Sequence, residues 1–173
     1  LSLLLVSESL SLLFMCLSFG LIPVVEELKT LKRQQIPYLL IVGILSSIIA
    51  PLLAFTGISM TQAANAEIFL RAEMLFLFIF SVLILHENVT RKHVLAGMMV
   101  MFGIIMVALK GFQSGMVTNP GDLYLVSAAL IYGLGSIIFK RYLSDIHPEL
   151  VIFMRGLIAI TFILLIYPFT NQT

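Results

Sequence analysis

Residues 64–86 form an apolar stretch that is long enough to cross a lipid bilayer, yet it contains three ionisable side chains. A transmembrane helix needs about 20 mainly apolar residues, and in segment 74–85 only Ser81 is polar. The ionisable residues are Glu67, Arg71 and Glu73. A charged side chain inside a membrane is costly unless it faces a partner or a wet cavity. The stretch therefore predicts a membrane helix beside a polar pathway.

The composition agrees with a membrane protein. Hydrophobic residues make up 60% of the 173-residue chain, charged residues make up 11%, and the mean hydropathy is +1.11. Soluble domains contain roughly 45–50% apolar and about 25% charged residues, so we expect the lipid bilayer as a partner. The formal charge of +1, without a basic cluster, gives no basis for a nucleic-acid partner.

The chain lacks the residue patterns of an enzyme or a cofactor-binding protein. Its single cysteine, Cys16, provides neither a disulfide framework nor a metal cluster. The histidines lie at predicted loops, and no nucleophile triad, phosphate loop or zinc-ligand spacing is present. We therefore predict no enzymatic activity and no cofactor.

Six apolar stretches meet or approach the length of a membrane span, which predicts an all-α integral membrane fold with six transmembrane helices. Pro37 opens the second stretch at a helix-start position. Pro51 lies inside the same stretch, where it is expected to free a backbone carbonyl and bend the helix. The predicted spans cover residues 3–25, 37–59, 64–86, 91–109, 121–139 and 148–169.

Basic residues alternate between the predicted loops. Seven Lys or Arg residues lie in loops 26–36, 87–92 and 140–147, whereas the opposite loops contain only Lys110. The positive-inside rule places these three loops in the cytoplasm, as in a multi-pass protein of the cell membrane. Both chain ends then lie outside, and the sequence begins without Met. We therefore expect a fragment of a longer protein.

A weak internal repeat relates the first and last predicted spans. Residues 10–17 resemble residues 149–156, at an offset of 139. The loop charges give these two spans opposite directions across the membrane, so the two copies are inverted. Inverted repeats recur in secondary transporters, although apolar segments also resemble one another by chance.

The region from Ala63 to Gly103 carries the residues of a known membrane repeat. A small-residue entry is followed by the mid-helix Glu73, which lies fourteen residues before Glu87, and then by a helix with two spaced glycines. This pattern resembles the EamA-type repeat of the drug/metabolite transporter superfamily. Two positions depart from the family pattern, because Met74 stands in place of a proline and His86 in place of a glycine.

The resemblance continues into the second half of the chain and implies a domain organisation. Residues 121–133 look like the opening helix of a second repeat, and residues 148–155 are similar to its following helix. The resemblance implies a ten-helix transporter of two inverted five-helix repeats, with helices two to seven present here. Residues 1–110 would form the first repeat without its first helix, 111–120 an outside loop, and 121–173 two helices of the second repeat.

Glu73 is the strongest candidate for a functional residue. No basic residue lies within one helical turn on its own face, and burial favours the neutral form of a carboxyl group. Two interpretations stay open. Glu73 contacts a substrate or a coupled proton, or it makes a structural hydrogen bond to a neighbouring helix.

Glu67 and Arg71 lie one turn apart on a shared helix face, at a spacing that favours an ion pair. They form a structural pair near the outer membrane interface, or they place Arg71 at the mouth of a cavity, where it attracts anionic groups. The Ala129 and Gly133 spacing, with Gly97 and Gly103, predicts close contacts between helices.

Arg155 lies about one-third into the sixth span and has two possible partners. It pairs with Glu73 across the helix bundle, or its side chain extends back to the cytoplasmic interface. In the first repeat Cys16 takes the position of Arg155, so a symmetric arginine pair is not expected. The remaining candidates line a cavity or form interhelical hydrogen bonds, and they are Asn65, Tyr132 and Ser136.

These features favour a membrane transporter, a permease or exporter, that moves small organic metabolites by alternating access. Coupling to protons is a hypothesis that rests on Glu73. A structural membrane subunit without transport activity is the main alternative. An intramembrane enzyme is a more remote alternative, because it requires polar residues that converge at one depth.

Overall fold

A computed structural model describes residues 6, 9–14, 28, 31–88, 90–108 and 119–170. The regular structure in these residues is helical. Residues 9–14 are helical, and the helices that follow are α1 (Ile36–Ile44), a π-helical segment (Leu45–Ile49), α2 (Ala50–Met60), α3 (Ala63–Leu70), α4 (Ala72–Leu85), α5 (Arg91–Ala108), α6 (Pro120–Tyr142) and α7 (Pro148–Thr170).

Four helical segments among the described residues are long and apolar enough to cross a membrane, which confirms the all-α membrane fold. They correspond to the predicted spans two, three, five and six. The predicted span 91–109 coincides with α5, and most of span 3–25 lies outside the described residues, so the total of six stays a prediction. The four segments are Ile36–Met60, Asn65–Leu85, Pro120–Tyr142 and Pro148–Leu165.

The chain divides into two compact units. Unit 1 contains Leu1–Ile48 and Ile138–Thr173, and unit 2 contains Ile49–Ile137. These units do not test the predicted repeat boundaries, which stay predictions.

In unit 1, α1 packs against α7. The first turns of both helices share one apolar core, so α1 and α7 begin at the same end of the unit. Tyr38 stacks on Tyr142 at that end, with ring centroids 4.0 Å apart. The buried core residues are Leu39, Val42, Leu143, Ile146, Leu150 and Val151.

In unit 2, α4 and α5 pack as neighbours joined by a short turn, and α5 also contacts α3. Ala66 and Phe69 of α3 share a buried cluster with Leu125 of α6. α2 and α6 approach closely, because a Cβ atom at Gly57 would lie 2.6 Å from Leu125 Cγ and 2.8 Å from the carbonyl oxygen of Gly121.

Polar contacts fasten the end of α2 to the beginning of α6. Asn119 Nδ2 donates a hydrogen bond of 2.6 Å to the carbonyl oxygen of Met60. Thr61 Oγ1 donates to Asp122 Oδ1 at 3.1 Å. A helix end leaves carbonyl groups without helical partners, and Asn119 satisfies one of them.

Three local irregularities follow from the sequence. Pro51 cannot donate a backbone hydrogen bond. The π-helical segment Leu45–Ile49 ends two residues before it, close to where the sequence predicted a bend. The predicted helix 64–86 is interrupted at Arg71, whose carbonyl oxygen accepts from the Met74 N–H at 3.1 Å in a three-residue turn. α4 ends at Leu85, and the next residue, His86, adopts the left-handed conformation with φ 55°.

Candidate functional site

The most informative polar contact in unit 1 joins α7 to the π-helical segment. Arg155 Nε donates a hydrogen bond to Ser47 Oγ at a distance of 3.3 Å. Ser47 is 0% exposed, and Arg155 is partly buried. The contact therefore places a permanently charged guanidinium group beside a buried hydroxyl group within two membrane-spanning helices.

The position of this contact follows from the helices that carry it. With a helical rise of about 1.5 Å per residue, Arg155 Cα lies about 10 Å from the start of α7, and Ser47 lies about 16 Å from the start of α1. Because both helices begin at the same end of unit 1, the Arg155 head group extends away from that end. Ser47 is the twelfth residue of the 25-residue spanning segment Ile36–Met60, so the contact lies toward the middle of that segment.

The serine pair before Pro51 shapes the contact locally. Ser46 Oγ donates a hydrogen bond of 2.7 Å to the carbonyl oxygen of Val42, one turn earlier. The neighbouring Ser47 instead receives its hydrogen bond from Arg155. π-helical segments are rare and often occur at functional sites, so this segment favours a functional role for the region around Ser47.

The Arg155 side chain has a neutral partner. In the part of the chain that the structure describes, the hydrogen bond to Ser47 is its one polar contact, and no carboxylate lies within ion-pair distance of it. Guanidinium has five N–H donors. Four donors of Arg155 are thus not used by the described residues.

Arg71 is placed differently, in unit 2. Its Nη2 atom lies 2.6 Å from Glu67 Oε1, at the predicted one-turn spacing. Both side chains are exposed. The structure thus brings these two predicted residues together, and the choice between a structural pair and a cavity mouth stays a prediction.

Glu73 lies in the first turn of α4 and is partly buried. A negative charge is favoured at a helix N-terminus. α4 also approaches α6 closely here, because a Cβ atom at Gly133 would lie 2.9 Å from Phe76 Cβ and 3.5 Å from the carbonyl oxygen of Glu73. Tyr132 directly precedes Gly133 on α6 and Ser136 follows it by three residues, so the structure brings the backbone of Glu73 close to the segment that carries both residues.

The other predicted residues have simpler surroundings. Asn65 is partly buried in the first turn of α3. Glu73 and Arg155 belong to different units, and their predicted pairing stays a prediction. A Cβ atom at Gly97 would make ordinary contact with Leu75, 3.7 Å away, whereas at Gly103 it would meet no described atom within 4 Å.

The polar turn after α4 has a defined contact. Ser81 donates a hydrogen bond to the Glu87 carboxylate across the left-handed residue His86. Among the described residues, no group of three His, Cys, Asp or Glu side chains is placed to hold a metal ion.

Sequence reasoning missed Ser47 as a partner of a candidate residue. Two adjacent serines in an apolar helix are commonplace, and Ser47 is 108 residues from Arg155 in the chain. The available signal was the position of Ser47 four residues before Pro51, where a proline disturbs the regular helical hydrogen bond.

The apolar helices and the ionisable groups inside them define an integral membrane protein. Residues 7–109 match the family model of the EamA-like transporter family, and the chain belongs to that family, which confirms the resemblance seen in the sequence.

A named relative was also found. The chain is 31% identical over 113 residues to an "Uncharacterized transporter" of Methanothermobacter thermautotrophicus (strain ATCC 29096 / DSM 1053 / JCM 10044 / NBRC 100330 / Delta H). The match covers 64% of this chain and 33% of the relative, so the chain spans about a third of that protein. No solved structure matches the chain.

Proposed function

We propose that this protein is part of a secondary transporter that moves a small organic solute across the cell membrane by alternating access. Its family membership and its apolar spanning helices support this proposal. In such transporters, two structural repeats move against each other around a site near the membrane midplane. Loops 26–36, 87–92 and 140–147 lie in the cytoplasm in this proposal.

The observation that carries the proposal is the Arg155 contact with the buried Ser47. An arginine inside a membrane span is rare, because burying its charge in hydrocarbon is costly. Such residues commonly mark the path of a substrate or an ion. A structural subunit without transport would gain little from a charged group that has a neutral partner.

Glu73 provides a second part of the proposal, which is coupling of transport to protons. It is a partly buried carboxyl group in the first turn of α4, near the middle of the spanning segment Asn65–Leu85. A carboxyl group that changes its protonation state during transport is a common element of proton relays. In this proposal Glu73 takes up a proton on one side of the membrane and releases it on the other.

Flux measurements in vesicles test both parts. The full-length protein is reconstituted and supplied with a panel of small metabolites, with and without an imposed pH gradient. We expect gradient-driven flux with the wild-type protein and loss of the gradient-dependent component with Glu73→Gln, because the amide cannot carry the proton. Asp145→Asn removes an exposed carboxylate from the turn between α6 and α7 and is expected to leave the flux unchanged.

The possible outcomes separate the alternatives. Flux that persists in Glu73→Gln with an unchanged pH dependence would exclude proton coupling through this residue but keep the transporter. No flux of any solute with the wild-type protein would favour the structural subunit without transport activity.

A further inference from the structure

The guanidinium group of Arg155 is held by one edge. Its Nε atom donates a hydrogen bond to Ser47 Oγ, which restrains the direction of the side chain. The two terminal nitrogen atoms take no part in this hydrogen bond. These atoms carry four N–H groups in a planar fork whose geometry matches a carboxylate or a phosphate. Within the described residues no acidic side chain takes these donors.

The surroundings of Arg155 strengthen its electrostatic attraction for an anion. Ser47 is fully buried, and the adjacent helix surface is apolar, with Ile158 packed on Gly43. A charge in such surroundings interacts more strongly with a counter-ion than it does in water. A serine hydroxyl group satisfies one hydrogen bond and does not neutralise the positive charge.

The depth of the contact favours a solute over a lipid headgroup. Lipid phosphates lie outside the hydrocarbon core, whereas Ser47 is the twelfth residue of the 25-residue spanning segment Ile36–Met60 and lies near the middle of that segment. An anion at this depth has to enter through a polar pathway.

We propose that Arg155, oriented by Ser47, forms the binding subsite for the oxyanion group of the transported solute, which is therefore a carboxylate or a phosphate compound. This inference rests on the proposed transport function and adds the substrate class. Arg155 makes the bidentate contact with the oxyanion. Ser47 acts as a positioning residue that holds the guanidinium group beside the π-helical segment.

Ligand binding tests the inference independently of transport. The full-length protein in phosphatidylcholine nanodiscs is titrated with acetate, inorganic phosphate and matched pairs, glutamate beside glutamine and glucose 6-phosphate beside glucose. The shift of the thermal unfolding temperature reports binding. We expect stabilisation by anions, with the charged member of at least one pair binding more tightly than its neutral analogue.

The variants identify the residue responsible. Hydrogen bonds to a charged group contribute enough that Arg155→Gln is expected to weaken anion binding by roughly 10- to 100-fold. Ser47→Ala is expected to weaken it by roughly 2- to 10-fold, and Arg155→Lys, which keeps the charge but loses the fork, by an intermediate factor. Arg33→Gln removes a positive charge from an exposed turn of the same unit and serves as the control.

Several results would overturn the inference. The first is the absence of anion-dependent stabilisation, and the second is equal anion binding by wild type and Arg155→Gln. A third is Arg155-dependent stabilisation by added phosphatidylglycerol that excludes the solute anions, since a lipid would then be the occupant. If Arg155→Gln fails to fold, the variants Arg155→Lys and Ser47→Ala are used instead. A reduced preference for charged over neutral analogues in both variants would support the inference, and an unchanged preference would overturn it.

Flux in proteoliposomes separates this inference from the transport proposal. Transport of neutral solutes without anion binding would reject the oxyanion subsite and keep the transporter. Arg155-dependent anion binding without any flux would support the subsite and reject transport.

Discussion

Two arginines of the described spanning segments, Arg71 and Arg155, have opposite surroundings. Arg71 in unit 2 has a side chain that is 62% exposed, and it pairs with Glu67 at 2.6 Å. Arg155 in unit 1 is partly buried and contacts the neutral, fully buried Ser47 at 3.3 Å.

Among the described residues, this difference separates an arginine with a carboxylate partner from one whose partner is neutral. The Glu67 and Arg71 pair is complete within one helical turn, and it adds no net charge to its surroundings. The contact of Arg155 with Ser47 fixes the direction of the guanidinium group and leaves its positive charge in place. Two residues of the same type thus differ in what they can still bind.

The largest expected effect comes from giving Arg155 the kind of partner that Arg71 has. In Ser47→Asp the new carboxylate lies beside the guanidinium group, where two charges about 4 Å apart interact by about 4 kcal/mol at an effective dielectric constant of about 20. An external anion then has to displace this internal one. We expect anion binding to weaken by roughly 100-fold or more, measured by the thermal shift titration.

Ser47→Asn is the matched control for this substitution, since it adds a side chain of the same size without the charge. We expect its anion affinity to stay well above that of Ser47→Asp. Equal losses in the two variants would mean that added volume, and not charge, disturbs the subsite. In that case the distinction between the two arginines would lose its electrostatic basis.

An effect of intermediate size is expected from the helix contacts that support each arginine. Gly57 and Gly43 lie in the same 25-residue spanning segment, one in each unit. A Cβ atom at Gly57 would overlap the backbone of Gly121 and the side chain of Leu125, which packs against α3. At Gly43, beside the Arg155 contact, it would overlap Ile158 Cδ1, the end of a flexible side chain.

We therefore expect Gly57→Ala to lower the free energy of unfolding by about 1–3 kcal/mol, the usual range for overpacking. Gly43→Ala is expected to cost less than about 1 kcal/mol, because Ile158 can rotate and alanine favours the helix. Thermal unfolding in detergent compares the two variants. A larger loss for Gly43→Ala would show that the α1–α7 contact is the more rigid of the two.

The smallest effect is expected from Glu67→Gln. An exposed ion pair contributes about 0.2–1 kcal/mol to stability, so the unfolding temperature should fall slightly. Anion binding at Arg155 should not change, because the substitution removes no contact of Ser47 or Arg155. If Glu67→Gln instead altered anion affinity as strongly as Arg155→Gln does, Arg71 would belong to the binding pathway, as in the cavity-mouth interpretation.

Much of the fold could be predicted from the sequence because membrane helices depend on local composition. Apolar length alone located the segments Ile36–Met60, Asn65–Leu85, Pro120–Tyr142 and Pro148–Leu165. The details were less accessible. Pro51 predicted an irregularity in the helix. Whether a helix responds by bending or by forming a π-helical segment depends on the neighbours that pack against it.

The candidate site could be predicted only in part. The pair of Glu67 and Arg71 follows from helical periodicity, which is a local property. Arg155 was recognisable as a charge in an apolar span, but its contact with Ser47 joins residues 108 positions apart. Such a contact depends on which helices pack together and in which direction they run, and one sequence does not contain that information in a local pattern.

The short turn between α4 and α5 has a consequence for the order of assembly. The two helices are joined by residues 86–90 and pack against each other, so their contact closes only a short loop and forms readily. The contact of Ser47 with Arg155 has to wait until α7 has been synthesised and inserted. The α4–α5 hairpin can thus form early in biosynthesis, whereas the anion subsite is completed only after the ribosome has made the last described helix.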